Sequence, residues 1–170
     1  DTDGLAPENH RIFVSSVAYS GNIGGILEAN KKCANLAKDA GLVRDYEAIL
    51  STAASPGSNL NFTGSTYIFT SSTEKLLVAA SVADIWGTGS KVFLNKVNID
   101  EKYSVLGGVK VWTGTTSDGG VANDNCNDWT LTSGTSWFGL TDKLDTEWIE
   151  SNTDSCSNSH RIYCISQQNN

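Results

Sequence analysis

The spacing of apolar residues along this chain alternates between the period of a strand and that of a helix. In RIFVSSV, residues 11–17, the positions Ile12, Val14 and, less cleanly, Ser16 take every second place and predict a strand. From Gly25 the spacing becomes helical, through Ile26, Ala29, Cys33, Leu36, Ala37 and Ala40, and Gly41 follows where a left-handed residue ends a helix. Cys33 lies on the apolar stripe and faces inward. YEAILS (46–51) predicts a second strand. Ser71 stands three residues before Glu74, a capping-box spacing that predicts a second helix over 72–83. Short strands are predicted at KVFLNKV (91–97), VKVWTG (109–114), SWFGL (136–140) and RIYCIS (161–166). Residues 1–10 have no period and read as a flexible tail ahead of a single domain, 11–170. Residues 115–160 are mostly Ser, Thr, Asn, Asp and Gly, too long for an ordinary connection, and so predict a functional or disulfide-held loop region. The sum is two helices, short strands and long loops, an α+β class.

Composition narrows the function. The 170 residues suit one domain with a sound core, and no apolar run is long enough to span a bilayer. The chain contains no methionine, so we expect a processed or a trimmed product, with any signal or lipid-anchor segment lying upstream of Asp1. The net charge of −7 is unevenly spread: residues 1–117 hold 10 basic and 11 acidic side chains, and residues 118–170 hold 2 basic and 8 acidic. A polyanion would be repelled by that last third, which argues against nucleic acid and heparin as partners. Cys33, Cys126, Cys156 and Cys164 make an even number without CxxC spacing, which fits disulfides in an oxidising compartment better than zinc. Four cysteines allow three pairings, and spacing does not choose among them.

The chemical motifs are weak. Gly21-Asn-Ile-Gly24-Gly25 sits between a strand and a helix, as a phosphate loop would. Its spacing is GxxGG rather than GxGxxG, and no strand–helix alternation follows, so it reads as a tight turn. His10 and His160 have no GxSxG elbow or HExxH helix to work with, and no catalytic residue is assigned. Calcium needs six to eight oxygen ligands. Asp124, Asp128 and Asp154 are candidates for it, but no EF-hand spacing is present and no cofactor is assigned. Of the five tryptophans, Trp112 and Trp129 read as core, while Trp137 and Trp148 read as exposed and available to stack on a ligand. With them, Asp142, Asp145, Glu147 and Glu150 form the expected ligand-binding set. Asn61-Phe62-Thr63 is a glycosylation sequon.

The order SGNIGGILEANKKCANLAKDAGLVRDYEAILS, VKVWTG, NCNDW and SCSNSHRIYCIS resembles endostatin, the C-terminal domain of certain collagens, and more particularly the bacterial leptospiral endostatin-like proteins. The likeness runs from about Arg11 to Ser166, nearly the whole chain. It implies a C-type-lectin-like fold with nested disulfides, Cys33–Cys164 and Cys126–Cys156. Loop-closure entropy then gives roughly 4–5 kcal/mol for the long bridge and somewhat less for the short one. Heparin binding does not carry over, because only Arg11, Arg44 and Arg161 are present, nor does N-terminal zinc, with His10 alone there. The loop also lacks the Glu-Pro-Asn or Gln-Pro-Asp triplet of calcium-dependent lectins.

By resemblance, the expected role is non-enzymatic. It is that of an exported, adhesin-like protein of the bacterial surface, at the outer membrane or secreted, that binds host extracellular-matrix proteins such as laminin and fibronectin. Complement factor H and plasminogen are further expected partners in this host–pathogen setting. The rival expectation is a lectin-like carbohydrate-binding module, with or without calcium.

Overall fold

A computed structural model describes residues 3–60, 63–87 and 93–167. Eight strands are built from short stretches: β1 His10–Val14, β2 Tyr46–Ala48, β3 Thr66–Phe69, β4 Lys75–Ala79, β5 Lys110–Trp112, β6 Thr135–Leu140, β7 Asn152–Ser155 and β8 Arg161–Ser166. They join in one sheet of order β4-β3-β1-β8-β5-β6-β7, with β2 also paired to β8. Five of the seven strand pairings are antiparallel, and β1–β3 and β5–β8 are parallel. The molecule is thus α+β and mostly sheet.

The central strand is the last one. Cys164 of β8 stands opposite Phe13 of β1 and Ala48 of β2, and Ile162 opposite Trp112 of β5. Side chains alternate across a strand, so each pairing sorts its residues to two faces. Ile12, Val14, Val111, Tyr163 and Ile165 go to one core cluster with Trp148 and Ile149. Phe13, Trp112, Ile162 and Cys164 go to the other with Trp129. Helix α1, Ile26–Asp39, covers this second face with Ala29, Cys33 and Ala37, all buried. Gly41 at φ +76° ends it in the left-handed conformation that glycine adopts without a Cβ penalty. Cys33 reaches β8 as the disulfide Cys33–Cys164, which encloses a second bridge, Cys126–Cys156. No helix of the described residues is long and apolar enough to cross a membrane.

The second predicted helix, 72–83, is absent. Residues 75–79 are strand β4, and only one helical turn, α2 at Val82–Ile85, follows. Ser71 does accept hydrogen bonds from the backbone N–H of Thr73 and Glu74, as a capping residue would. Here those bonds close the β3–β4 hairpin, with Thr70 N–H donating to Glu74 O. The local chemistry is that of a cap, and antiparallel pairing with β3, with Val78 and Ala79 buried in the core, decides the outcome. The strand predicted at 91–97 is likewise corrected over its described part. Phe93 and Leu94 donate singly to Leu144 O and Val78 O, and no strand forms at 93–97. Asn61 and Phe62 of the sequon lie outside the described residues.

Residues 3–9, expected to be loose, are held against the domain. The buried Arg44 guanidinium donates to the carbonyls of Leu5, Ala6 and Asn9, and its Nε lies 2.7 Å from Asp3 Oδ2. Leu5 is buried, and His10 is the first residue of β1 rather than the last of a tail.

Candidate functional site

Residues 126–129 form one turn of left-handed helix. Cys126, Asn127, Asp128 and Trp129 have φ of +57°, +52°, +56° and +67°. An L-residue in this region is disfavoured by roughly 1–2 kcal/mol, less for Asn and Asp, whose short side chains bond locally. Local bonding is what the sequence supplies. Asn125 Oδ1 accepts the Asp128 N–H, and Asp128 Oδ1 accepts both the Asn125 amide and the Ala53 N–H. At the far end Trp129 is fully buried and donates its indole N–H to Ser51 O. The Trp129 carbonyl accepts from both Gly24 and Gly25, at 3.0 Å each.

The glycine loop therefore has a structural partner. Gly24 and Gly25, at φ +100° and +92°, turn their amides onto Trp129 O. A Cβ at Gly21 would overlap Cys126 Sγ, so that glycine admits the disulfide. The tight turn seats both the start of α1 and the left-handed turn.

Beside this turn lies an open groove of about 390 Å³, lined by Asn123, Asp124, Asn125, Asn127, Ser133 and Thr135, with Leu131 among them. Leu131 is 44% exposed and gives the groove an apolar spot among amide and hydroxyl groups. Thr135 donates to Asp124 Oδ2 across it. Apart from Asp124, these residues had no signal in the sequence beyond loop-like polarity.

The edge hairpin β6–β7 carries the next group of side chains. Asp154 on β7 lies 2.6 Å from His160 Nε2 and 3.6 Å from Lys110 Nζ, and accepts from Asn158 and from the Ser155 backbone. The His160 hydrogen bond leads these contacts in lowering its carboxyl to about 2. His160 stands edge-on to Trp112 at 4.5 Å, and Lys110 lies over Phe138. Asp154 is committed to the His160 ring, the Lys110 ammonium and amide N–H groups. Among the described residues no three of His, Cys, Asp or Glu gather to hold a metal, and Asp124, Asp128 and Asp154 do not form such a group.

Asp142, Asp145, Glu147 and Glu150 do share one segment, around the 3₁₀ turn Thr146–Trp148. Asp145 and Asp142 are exposed, while Glu147 and Glu150 are half-buried. Asp145 Oδ1 caps the turn through Glu147 N–H, and Glu147 accepts from Ser151 Oγ. Trp137 is half-buried on β6, opposite Thr153 of β7. Trp148 departs from expectation, being only 3% exposed. Its ring is 4.7 Å from Phe93 and 5.2 Å from Tyr163, and its carbonyl accepts the Tyr163 hydroxyl, so it belongs to the core. Sequence polarity hid this because Thr146, Glu147 and Glu150 flank the inward pair Trp148 and Ile149.

The charge of residues 118–170 is therefore displayed on loops and an edge hairpin, above two covalently joined layers. Disulfide pairing of all four cysteines belongs to an oxidising environment. No protein-family model and no curated protein matches this chain.

Proposed function

We propose that this chain is an endostatin-like domain of C-type-lectin-like fold, exported and displayed on a bacterial surface, that binds host extracellular-matrix proteins such as laminin and fibronectin, with complement factor H and plasminogen as further partners. The observation that carries the reading is the acidic segment 142–150, with Asp142 and Asp145 exposed and Glu147 and Glu150 half-buried, on a scaffold held by two nested disulfides. Carboxylates on capped turns are held in place before a partner arrives, which lowers the entropy lost on binding. A basic patch on the partner is the complement of such a surface, and attraction of this kind is screened by salt.

The test is a solid-phase binding panel of the oxidised domain against laminin, fibronectin, factor H and plasminogen. Saturable binding that weakens about tenfold between low and high ionic strength is expected. A similar weakening is expected for Asp142→Asn/Asp145→Asn/Glu147→Gln/Glu150→Gln at low salt. Retention of none of the four proteins, or affinity indifferent to both salt and these substitutions, would refute the proposal. Loss of binding on adding a chelator would favour a metal-assisted lectin instead.

A further inference from the structure

Arg11 of β1 carries a charged side chain into the interior. It is 2% exposed, yet among the described residues nothing accepts a hydrogen bond from its guanidinium, and its Nε is buried without a partner. Burying a cation without a counter-charge is among the least favourable arrangements in a protein, and such groups are ordinarily paired. What surrounds it is aromatic. The guanidinium carbon lies 4.4 Å from the Phe69 ring centroid and 5.4 Å from that of Tyr103. Ring faces favour a cation but give its N–H groups no acceptor in return.

The guanidinium borders a cavity of about 190 Å³, closed on other sides by Tyr46, Ser72 and the segment 40–43 that leaves α1. Tyr103, in its wall, has φ +67°, a left-handed backbone that is strained for an aromatic residue and characteristic of functional positions. The nearby charges leave Arg11 unbalanced. Asp3 borders the cavity but sits 2.7 Å from Arg44 Nε, so that pair is neutral as a unit.

We propose that this cavity binds a monoanionic carboxylate, held by the Arg11 guanidinium with its apolar body against Tyr46, Leu42 and Val43. A guanidinium matches the two oxygens of a carboxylate in plane. One uncompensated positive charge takes one negative charge. A dianion such as phosphate would meet the Asp3 carboxylate and a net charge of −7. The volume fits a small acid or the terminal residue of a peptide, below the usual range for drug-sized ligands. None of the lining residues belongs to segment 115–160, so the site is independent of the acidic surface and of the function proposed for it.

The experiment is a titration of the ¹⁵N-labelled oxidised domain, followed by amide and arginine Nε–H resonances. The ligands are sodium acetate, N-acetylglycine as a peptide-terminus mimic, and inorganic phosphate, each at constant ionic strength. Saturable shifts at the Arg11 Nε–H and at the amides of Gly41, Leu42, Val43 and Tyr103 are expected with the carboxylates. Tighter binding of N-acetylglycine than acetate assigns a peptide terminus, and equal binding assigns a free small acid. Arg11→Gln is expected to weaken binding at least about tenfold. Val43, 63% exposed at the rim, provides a variant that leaves the core intact: Val43→Trp fills the mouth and abolishes the shifts. No saturable shift with either carboxylate, phosphate binding as tight as theirs, or unchanged binding in Val43→Trp would each overturn the proposal.

Discussion

His10 shows how one side chain can tie distant parts of the chain through its protonation state. Its ring is buried, with Nδ1 2.7 Å from Ser166 O as donor and Nε2 accepting the Thr63 N–H at 3.0 Å. The neutral ring makes both bonds at once, and protonation costs the Thr63 bond, because Nε2 then becomes a donor. Burial, with the nearby Arg44 charge, lowers its pKa below the ordinary 6.5, although the Ser166 bond opposes the shift. A lowered histidine pKa means that the unfolded chain binds more protons than the folded one below about pH 6.5. Stability is therefore fully present above that pH and falls as pH drops toward the folded value. Thermal melts of the oxidised domain at pH 7.5 and 5.0 are expected to show a larger fall in Tm for the parent than for His10→Gln, by a few degrees. Equal falls would show that His10 is not the titrating group. Gly21 makes a related point about legibility. The sequence marks it as a glycine in a tight turn, but its reason for being glycine is a sulfur atom more than a hundred residues away.

At the scale of elements, what could be read in advance depended on how local the cause was. Helix α1 and strands β1, β2, β5, β6 and β8 were legible because each buries residues on its own period. Strand β7 was not: Asn-Thr-Asp-Ser has no apolar residue, and it is a strand only because β6 offers it an edge. Strand β4 was misread as helix because a serine bonding two amides ahead serves a helix cap and a hairpin turn equally well. The left-handed turn had one readable sign, the Asn-Asp pair at 127–128, and needed Gly24, Gly25 and Ser51 to complete it. The Arg11 cavity was not legible at all, since β1, β3, the end of α1 and Tyr103 meet there only in three dimensions. Backbone strain in the left-handed turn gives a clean test at Asn127, which is exposed and whose side chain, among the described residues, makes one hydrogen bond, to Thr130. Asn127→Ala is expected to lower stability by about 1 kcal/mol, and Asn127→Gly to leave it unchanged or slightly raised. Urea melts resolve that difference, and equal losses would mean that the positive φ is not the strained quantity.

For the whole molecule, the two disulfides have separate effects. Cys33–Cys164 joins α1 to the central strand across 131 residues, and Cys126–Cys156 closes 30 residues around the left-handed turn and β6. Loop entropy assigns about 5 kcal/mol to the first and 3–4 kcal/mol to the second, of the same order as the strain in four left-handed residues. Removing the short bridge as Cys126→Ser/Cys156→Ser should therefore relax the turn before it unfolds the sheet. Hydrogen exchange is expected to show lost protection at Gly24 and Gly25, whose acceptor is Trp129 O, with β1 and β8 still protected. Uniform loss across all strands would mean that turn and sheet form one cooperative unit.

Strand β8 is the hub to which β1, β2 and β5 all pair, and it is also the last strand to be synthesised. A nascent polypeptide that has not yet extruded residues 161–166 lacks the strand around which its sheet closes, and Cys33 lacks its native partner, Cys164. Folding of this topology must wait for nearly the complete domain, because its decisive contacts span most of the sequence.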